Sequence, residues 1–168
     1  MADNIKCYID IETTGLNCGH ECKNNAEIIR VSAVKVINKT TSYAFDTFIK
    51  PKKQLTEAVE SFIGIKNEDV IGAPSVCEAL AMLKKFTDDA VLIAYNASFA
   101  AKFISYYGNK CGIRFENDWI DILAIATSKL FLKEPRLPTI NKVCRRLGIA
   151  TNLSYLEKTQ RIADRLII

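Results

Sequence analysis

Apolar positions along the chain alternate with period two in some stretches and recur at helical spacing in others, and their order predicts an α/β fold. Lys6-Cys7-Tyr8-Ile9-Asp10-Ile11 is rich in β-formers and runs into Thr13-Thr14-Gly15, a strand entering a turn. A second strand spans Ile28 to Ile37 and a third Tyr43 to Lys50, with Asn38-Lys39-Thr40-Thr41 short enough between them for a hairpin. Helical spacing marks Leu55 to Ile63 and Ser75 to Phe86, the latter opening after Pro74 with Ser75 as N-cap. Ala90 to Tyr95 reads as a short buried strand and Ala97 to Tyr107 as a helix. Trp119 to Leu132, Thr139 to Leu147 and Ser154 to Ile168 read as three further helices. A strand meander followed by strands alternating with helices implies a mixed sheet covered by helices.

The length of 168 residues suits one domain, 1–168, and no repeat or Gly/Ser linker divides it. Apolar residues at 49% and charged ones at 25% exclude disordered, collagenous and coiled-coil chains. No apolar run approaches the ~18–20 residues of a membrane helix. The first six residues lack the apolar core of a signal peptide, so a cytoplasmic location and no membrane partner are expected. The six scattered cysteines are accordingly expected as reduced, small hydrophobes. A net charge of +4 permits a polyanionic partner without requiring one.

Chemistry concentrates at Asp10 and Glu12. Side chains alternate along a strand, so these two carboxylates share a face. Asp10 lies inside an apolar strand, where an unpaired charge is costly, and paired hard oxygen donors suit Mg²⁺ or Mn²⁺. The plainer alternative is a strand-end aspartate beside a solvated glutamate.

Asp10-Ile11-Glu12-Thr13-Thr14-Gly15-Leu16 closely resembles the first motif of the DnaQ-like 3′–5′ exonucleases, a family of the DEDD superfamily with a ribonuclease-H-like fold. Leu92-Ile93-Ala94-Tyr95-Asn96-Ala97-Ser98-Phe99 resembles their second motif, a strand ending in Asn-x-x-Phe-Asp. Asp121 to Ala126, Leu137-Pro138 and Leu147-Gly148-Ile149 resemble the approach to the third. The resemblance implies a five-stranded mixed sheet, its first three strands an antiparallel meander, its others parallel, with flanking helices. It also implies four carboxylates holding two divalent ions, with Asp10 bridging both and Glu12 on the nucleophile side. Thr13, Thr14, Gly15, Leu16, Asn96 and Phe99 would then meet the terminal nucleotide of a single-stranded nucleic acid.

Three positions depart from the family pattern. Ala100 stands where the second motif has Asp. The third motif is His-x-Ala-x-x-Asp, and the one histidine of this chain, His20, follows the first motif instead. One register places Leu153, Tyr155 and Lys158 at the His, Ala and Asp positions; another places Asn152, Ser154 and Glu157 there. Helical periodicity favours the first, because Thr159, Ile162 and Leu166 then face inward rather than Lys158, Arg161 and Arg165. Two carboxylates and the general base are then missing, and an ammonium at Lys158 is expected to pair with Asp10 and Glu12. Mg²⁺ or Mn²⁺ belongs to an active reading; with two ligands left, no tightly bound ion is expected.

Cys18-Gly19-His20-Glu21-Cys22 places three soft or borderline metal donors, Cys18, His20 and Cys22, within five positions, although a plain polar loop explains them as well. Three functions follow. The first is a catalytically degenerate exonuclease-fold protein that binds single-stranded nucleic acid or a 3′ end. The second is an active metal-dependent exonuclease with unorthodox ligands, Glu157 among them. The third is a protein-interaction module that has lost nucleic acid.

Overall fold

The computed structural model describes residues 5–19 and 25–167. His20 and Cys22 lie outside them, while Cys18 is buried in the core. Strands β1 (Ile5–Thr13), β2 (Ile28–Ile37), β3 (Thr41–Phe48), β4 (Val91–Ala94) and β5 (Trp119–Asp121) form one sheet in the order β3-β2-β1-β4-β5. The three long strands are antiparallel neighbours, and β4 and β5 add in parallel to the free edge of β1. The expected five-stranded mixed sheet is therefore observed, with the first motif on its central strand.

Helices α1 (Glu57–Ile63), α2 (Asn67–Val70), α3 (Val76–Thr87), α4 (Ala97–Lys110), α5 (Ile122–Leu130), α6 (Ile140–Leu147) and α7 (Tyr155–Leu166) follow the sequence pattern closely. Their starts are chemically marked. Ser75 and Ser154 form capping boxes with Glu78 and Glu157, and Thr56, Asp121 and Thr139 accept backbone N–H groups as N-caps. The short helix α2 has no counterpart in the sequence reading, and Trp119–Asp121 begins as a strand rather than a helix. Three residues are too few to show period two; they become a strand because Leu92, Ile93 and Ala94 offer an open edge beside them.

Alternation along β1 divides the core. Cys7, Ile9 and Ile11 pack with Leu80 and Leu83 of α3 and Phe103 and Ile104 of α4. Tyr8, on the opposite face, packs with Ile93, Ile122, Val143 and Ile162, joining α5, α6 and α7 to the sheet. Each buried leucine, isoleucine, valine or phenylalanine among these stabilises by roughly 1.5–3 kcal/mol. Asp10 and Glu12 continue the Tyr8 face toward the end of the strand, beside the first turn of α7.

The cysteines depart from expectation. Cys77, on the first turn of α3, and Cys111, at the end of α4, are joined in a disulfide with Cα atoms 5.3 Å apart. The pairing was invisible in a separation of 34 residues and arises because the two helices pack side by side. Cys7 and Cys144 are buried thiols, as expected.

Candidate functional site

Cross-strand register builds the floor of the site. Asp10 pairs with Ser32 and then Asp46, while Glu12 pairs with Arg30 and then Phe48. Arg30 donates Nε–H and Nη2–H to the two carboxylate oxygens of Asp46, at 2.9 and 2.7 Å, and Ser32 donates its hydroxyl to Asp46 at 2.8 Å. The Arg30 guanidinium also lies over the Phe48 ring, 5.3 Å from its centroid. A cavity of about 350 Å³ opens above this floor, bounded by Asp10, Glu12, Arg30, Asp46 and the first turn of α7.

The electrostatics follow from that packing. Burial, and then the charge of Glu12, push the Asp10 carboxyl up to about 7, against the opposing pull of the Ile11 backbone and Arg30. Burial also raises Glu12, and Arg30 again opposes it. Asp46 is held below the ordinary aspartate value by its bonds from Arg30 and Ser32. Tyr155, raised by burial and by the nearby charge of Asp10, stands edge-on to Tyr95 with ring centroids 6.1 Å apart.

The first-motif turn is stitched to the start of β2. Thr13 donates its hydroxyl to the Gly15 carbonyl at 2.7 Å, and Thr14 exchanges bonds with Glu27 through N–H to O and N–H to Oγ1, each 2.9 Å. A Cβ on Gly15 would stand 3.3 Å from that of Ala26, so glycine allows this close approach. The turn leaves Leu16 77% exposed at the mouth of an apolar cleft of about 540 Å³. Phe99 of α4 and Ala58, Val59, Phe62 and Ile63 of α1 line the same cleft, and Glu12 lies at its edge. Glu12 thus borders both cavities. Asn96 instead shapes the start of α4, with a left-handed backbone (φ 70°) and its side-chain oxygen accepting from Ser98 at 3.0 Å.

The three departing positions fall as follows. Ala100 is buried in the cluster that contains Ile11 and Phe103. Leu153 packs against the cluster around Tyr8 and Tyr95. In α7, Thr159, Ile162 and Leu166 are buried, while Arg161 and Arg165 are exposed. That is the periodicity of the Lys158 register. Glu157 caps its own helix through Ser154.

The expected ion pair of Lys158 with Asp10 and Glu12 does not occur among the described residues. The cation whose field reaches both carboxylates is Arg30, and the field of Lys158 acts on the Cys144 thiol instead. Tyr155, one turn earlier on α7, takes the place beside the carboxylates. Among the described residues no group of three or more His, Cys, Asp or Glu side chains stands close enough to share an ion. Two carboxylates beside a guanidinium do not fit a pair of divalent cations.

Sequence reasoning missed Arg30, Asp46 and Phe62. Arg30 left a signal, being the one charge in the apolar run Ile28-Ile29-Arg30-Val31. Phe62 left none, because an aromatic at helical spacing reads as core, yet it is 90% exposed.

A family model described as an exonuclease, RNase_T, matches residues 7–153. The DNA polymerase III PolC-type of Latilactobacillus sakei is 37% identical over 157 residues, 92% of this chain and 10% of the relative. That of Caldanaerobacter subterraneus is also 37% identical, over 117 residues, 70% of this chain and 8% of the relative. The chain thus spans about a tenth of the length of these curated relatives. The nuclease domain of 3′hExo, a DEDDh family member bound to rAMP, superposes with a TM-score of 0.77 at 20% identity, over 99% of this chain and 92% of that one. Product-bound exonuclease I superposes with a TM-score of 0.75 at 12% identity, over 96% of this chain and 42% of that one. At these identities the two structures share the fold.

Proposed function

The chain belongs to the RNase_T exonuclease family, and from that premise we propose that it binds single-stranded nucleic acid or its 3′ end with a catalytically degenerate centre. One observation carries the reading. The first-motif turn, Phe99 and Phe62 line one cleft together with Glu12, while in the Lys158 register Ala100, Leu153 and Lys158 stand at the family's positions for two carboxylates and the base.

An apolar cleft with an exposed phenylalanine suits an unstacked base, which presents an aromatic face whatever its sequence. The adjoining carboxylates mark where the last phosphodiester would lie. The positions that would supply the missing ligand and base do not: Ala100 offers a methyl group, Leu153 packs against the core, and Glu157 caps its helix. A protein of the same fold is described in 3′-end-specific recognition of a histone mRNA stem-loop. That kinship favours a strand end over an internal segment.

The test is a mobility-shift and cleavage assay on labelled single-stranded DNA and RNA, with and without Mn²⁺. The expected result is salt-sensitive binding without shortening of the strand. Mn²⁺-dependent cleavage abolished by Asp10→Ala would establish the active alternative. Absence of binding to every strand would leave the protein-interaction module.

A further inference from the structure

Arg30 has no role in the reading above, yet it is the cation of the site. It borders the same cavity as Asp10, Glu12 and Tyr155, and Glu12 links that cavity to the apolar cleft. Its side chain remains 38% exposed, so it is within reach of a ligand. Its position is also fixed. Asp46 takes Nε and Nη2, Ser32 donates its hydroxyl to Asp46, and the guanidinium lies over the Phe48 ring. Among the described residues nothing takes Nη1.

A phosphodiester approaching Asp10 and Glu12 meets two carboxylates, with Asp46 lining the same cavity. A cation must stand between them and the phosphate. Where the donor set does not fit divalent ions, a guanidinium can serve, because its planar array of N–H donors matches phosphate oxygens.

We propose that Arg30 is a phosphate-binding residue, holding the last phosphodiester of a single strand whose terminal base lies in the Leu16–Phe62–Phe99 cleft. The inference rests on the strand-binding reading and adds to it a specific, metal-independent phosphate contact. Asp46 acts as its restraint: it positions the guanidinium but also neutralises part of its charge.

The test is fluorescence anisotropy with a labelled single-stranded octamer in EDTA. Arg30→Met should weaken binding roughly tenfold or more and lower the log–log salt slope by about 0.7, the value for one lost single-strand phosphate contact. Asp46→Asn should tighten binding, since it removes a negative charge and, with one acceptor oxygen left, releases one of the two donors. A pair with a merely structural role would weaken binding in both variants.

A neutral methylphosphonate at the last linkage supplies the second arm. It should weaken wild type about as much as Arg30→Met does, and have no further effect in that variant. Arg30→Lys, which keeps the charge without the fork, should fall between the two. A methylphosphonate effect undiminished in Arg30→Met, or wild-type affinity and salt slope in that variant, would overturn the proposal while leaving strand binding intact. Failure of wild type to bind any strand would instead overturn the reading on which it rests.

Discussion

Ser154 and Glu157 close the first turn of α7 on each other. The Ser154 amide and hydroxyl donate to Glu157 Oε2 at 2.9 and 2.7 Å, and the Glu157 amide donates back to Ser154 Oγ at 3.2 Å. This reciprocal cap gives Glu157 a structural role, whereas one sequence register assigned it a ligand role.

Removing the cap should therefore change stability and not binding. Ser154→Ala is expected to cost about 1 kcal/mol, and Glu157→Gln to lower the melting temperature, with strand affinity unaltered in both. The Ser154 bonds depress the Glu157 pKa in the folded state, so its contribution is present above the ordinary glutamate value and lost as pH falls through the folded one. The advantage of wild type over Glu157→Gln should accordingly vanish in acid. Calorimetry showing weaker Mn²⁺ binding by Glu157→Gln, with no change in melting, would restore the ligand role.

Asp10 should act with the opposite sign. Its folded-state pKa of about 7 lies above the ordinary aspartate value of 3.8. Between the two, the folded protein binds more protons than the unfolded one, so this group's contribution to stability falls as pH rises from about 4 to 7. In EDTA, Asp10→Asn should melt like wild type near pH 4 and above it at pH 8, by up to a few kcal/mol at ~1.4 kcal/mol per pH unit. Denaturant melts across that range measure the difference, and parallel curves would show that Asp10 ionises freely.

Phe62 offers a clean probe of the apolar cleft, because a side chain 90% exposed contributes little to folding. Phe62→Ala should leave the melting temperature unchanged and weaken single-strand binding by about 1–3 kcal/mol, the range for loss of one stacked base. Leu16→Ala should weaken it in the same direction. Phe99→Ala should lose stability as well, since Phe99 packs on Phe103 with ring centroids 4.8 Å apart. Unchanged affinity in Phe62→Ala would remove the cleft from the binding surface.

On the degenerate reading proposed above, restoring catalysis requires several changes together. Ala100→Asp, Leu153→His, Tyr155→Ala and Lys158→Asp would rebuild the family pattern around Asp10 and Glu12. Single changes should give no cleavage, because groups that act as a unit are strongly non-additive. Ala100→Asp alone buries an unpaired carboxylate at a position 4% exposed and should destabilise the protein. In the quadruple variant Mn²⁺ should raise the melting temperature by mass action, and 3′ cleavage should appear. A folded variant that gains the metal-dependent shift without cleavage would trace the loss beyond these four positions.

Much of this was legible along the chain. β-forming composition, alternation in β2 and a short apolar run at β4 located β1 to β4, and Ser75 marked the start of α3 as its N-cap, because these signals are local. The spacing of Asp10 and Glu12 puts them on one face, and the periodicity of α7 by itself selects the Lys158 register. Tertiary structure alone decided the rest. The strand at Trp119–Asp121 exists because β4 offers it an edge, and Cys77 meets Cys111 because two helices pack together. Arg30 faces Asp46, and Phe62 joins Leu16 and Phe99 at one cleft, across separations of 16 to 46 residues that carry no local signal. Lys158 was expected to neutralise Asp10 and Glu12; instead the cation acting on both is Arg30. Which cation reaches a buried carboxylate depends on strand pairing and helix placement. Those are set by packing over the whole chain, whereas the local pattern specifies only which residues share a face.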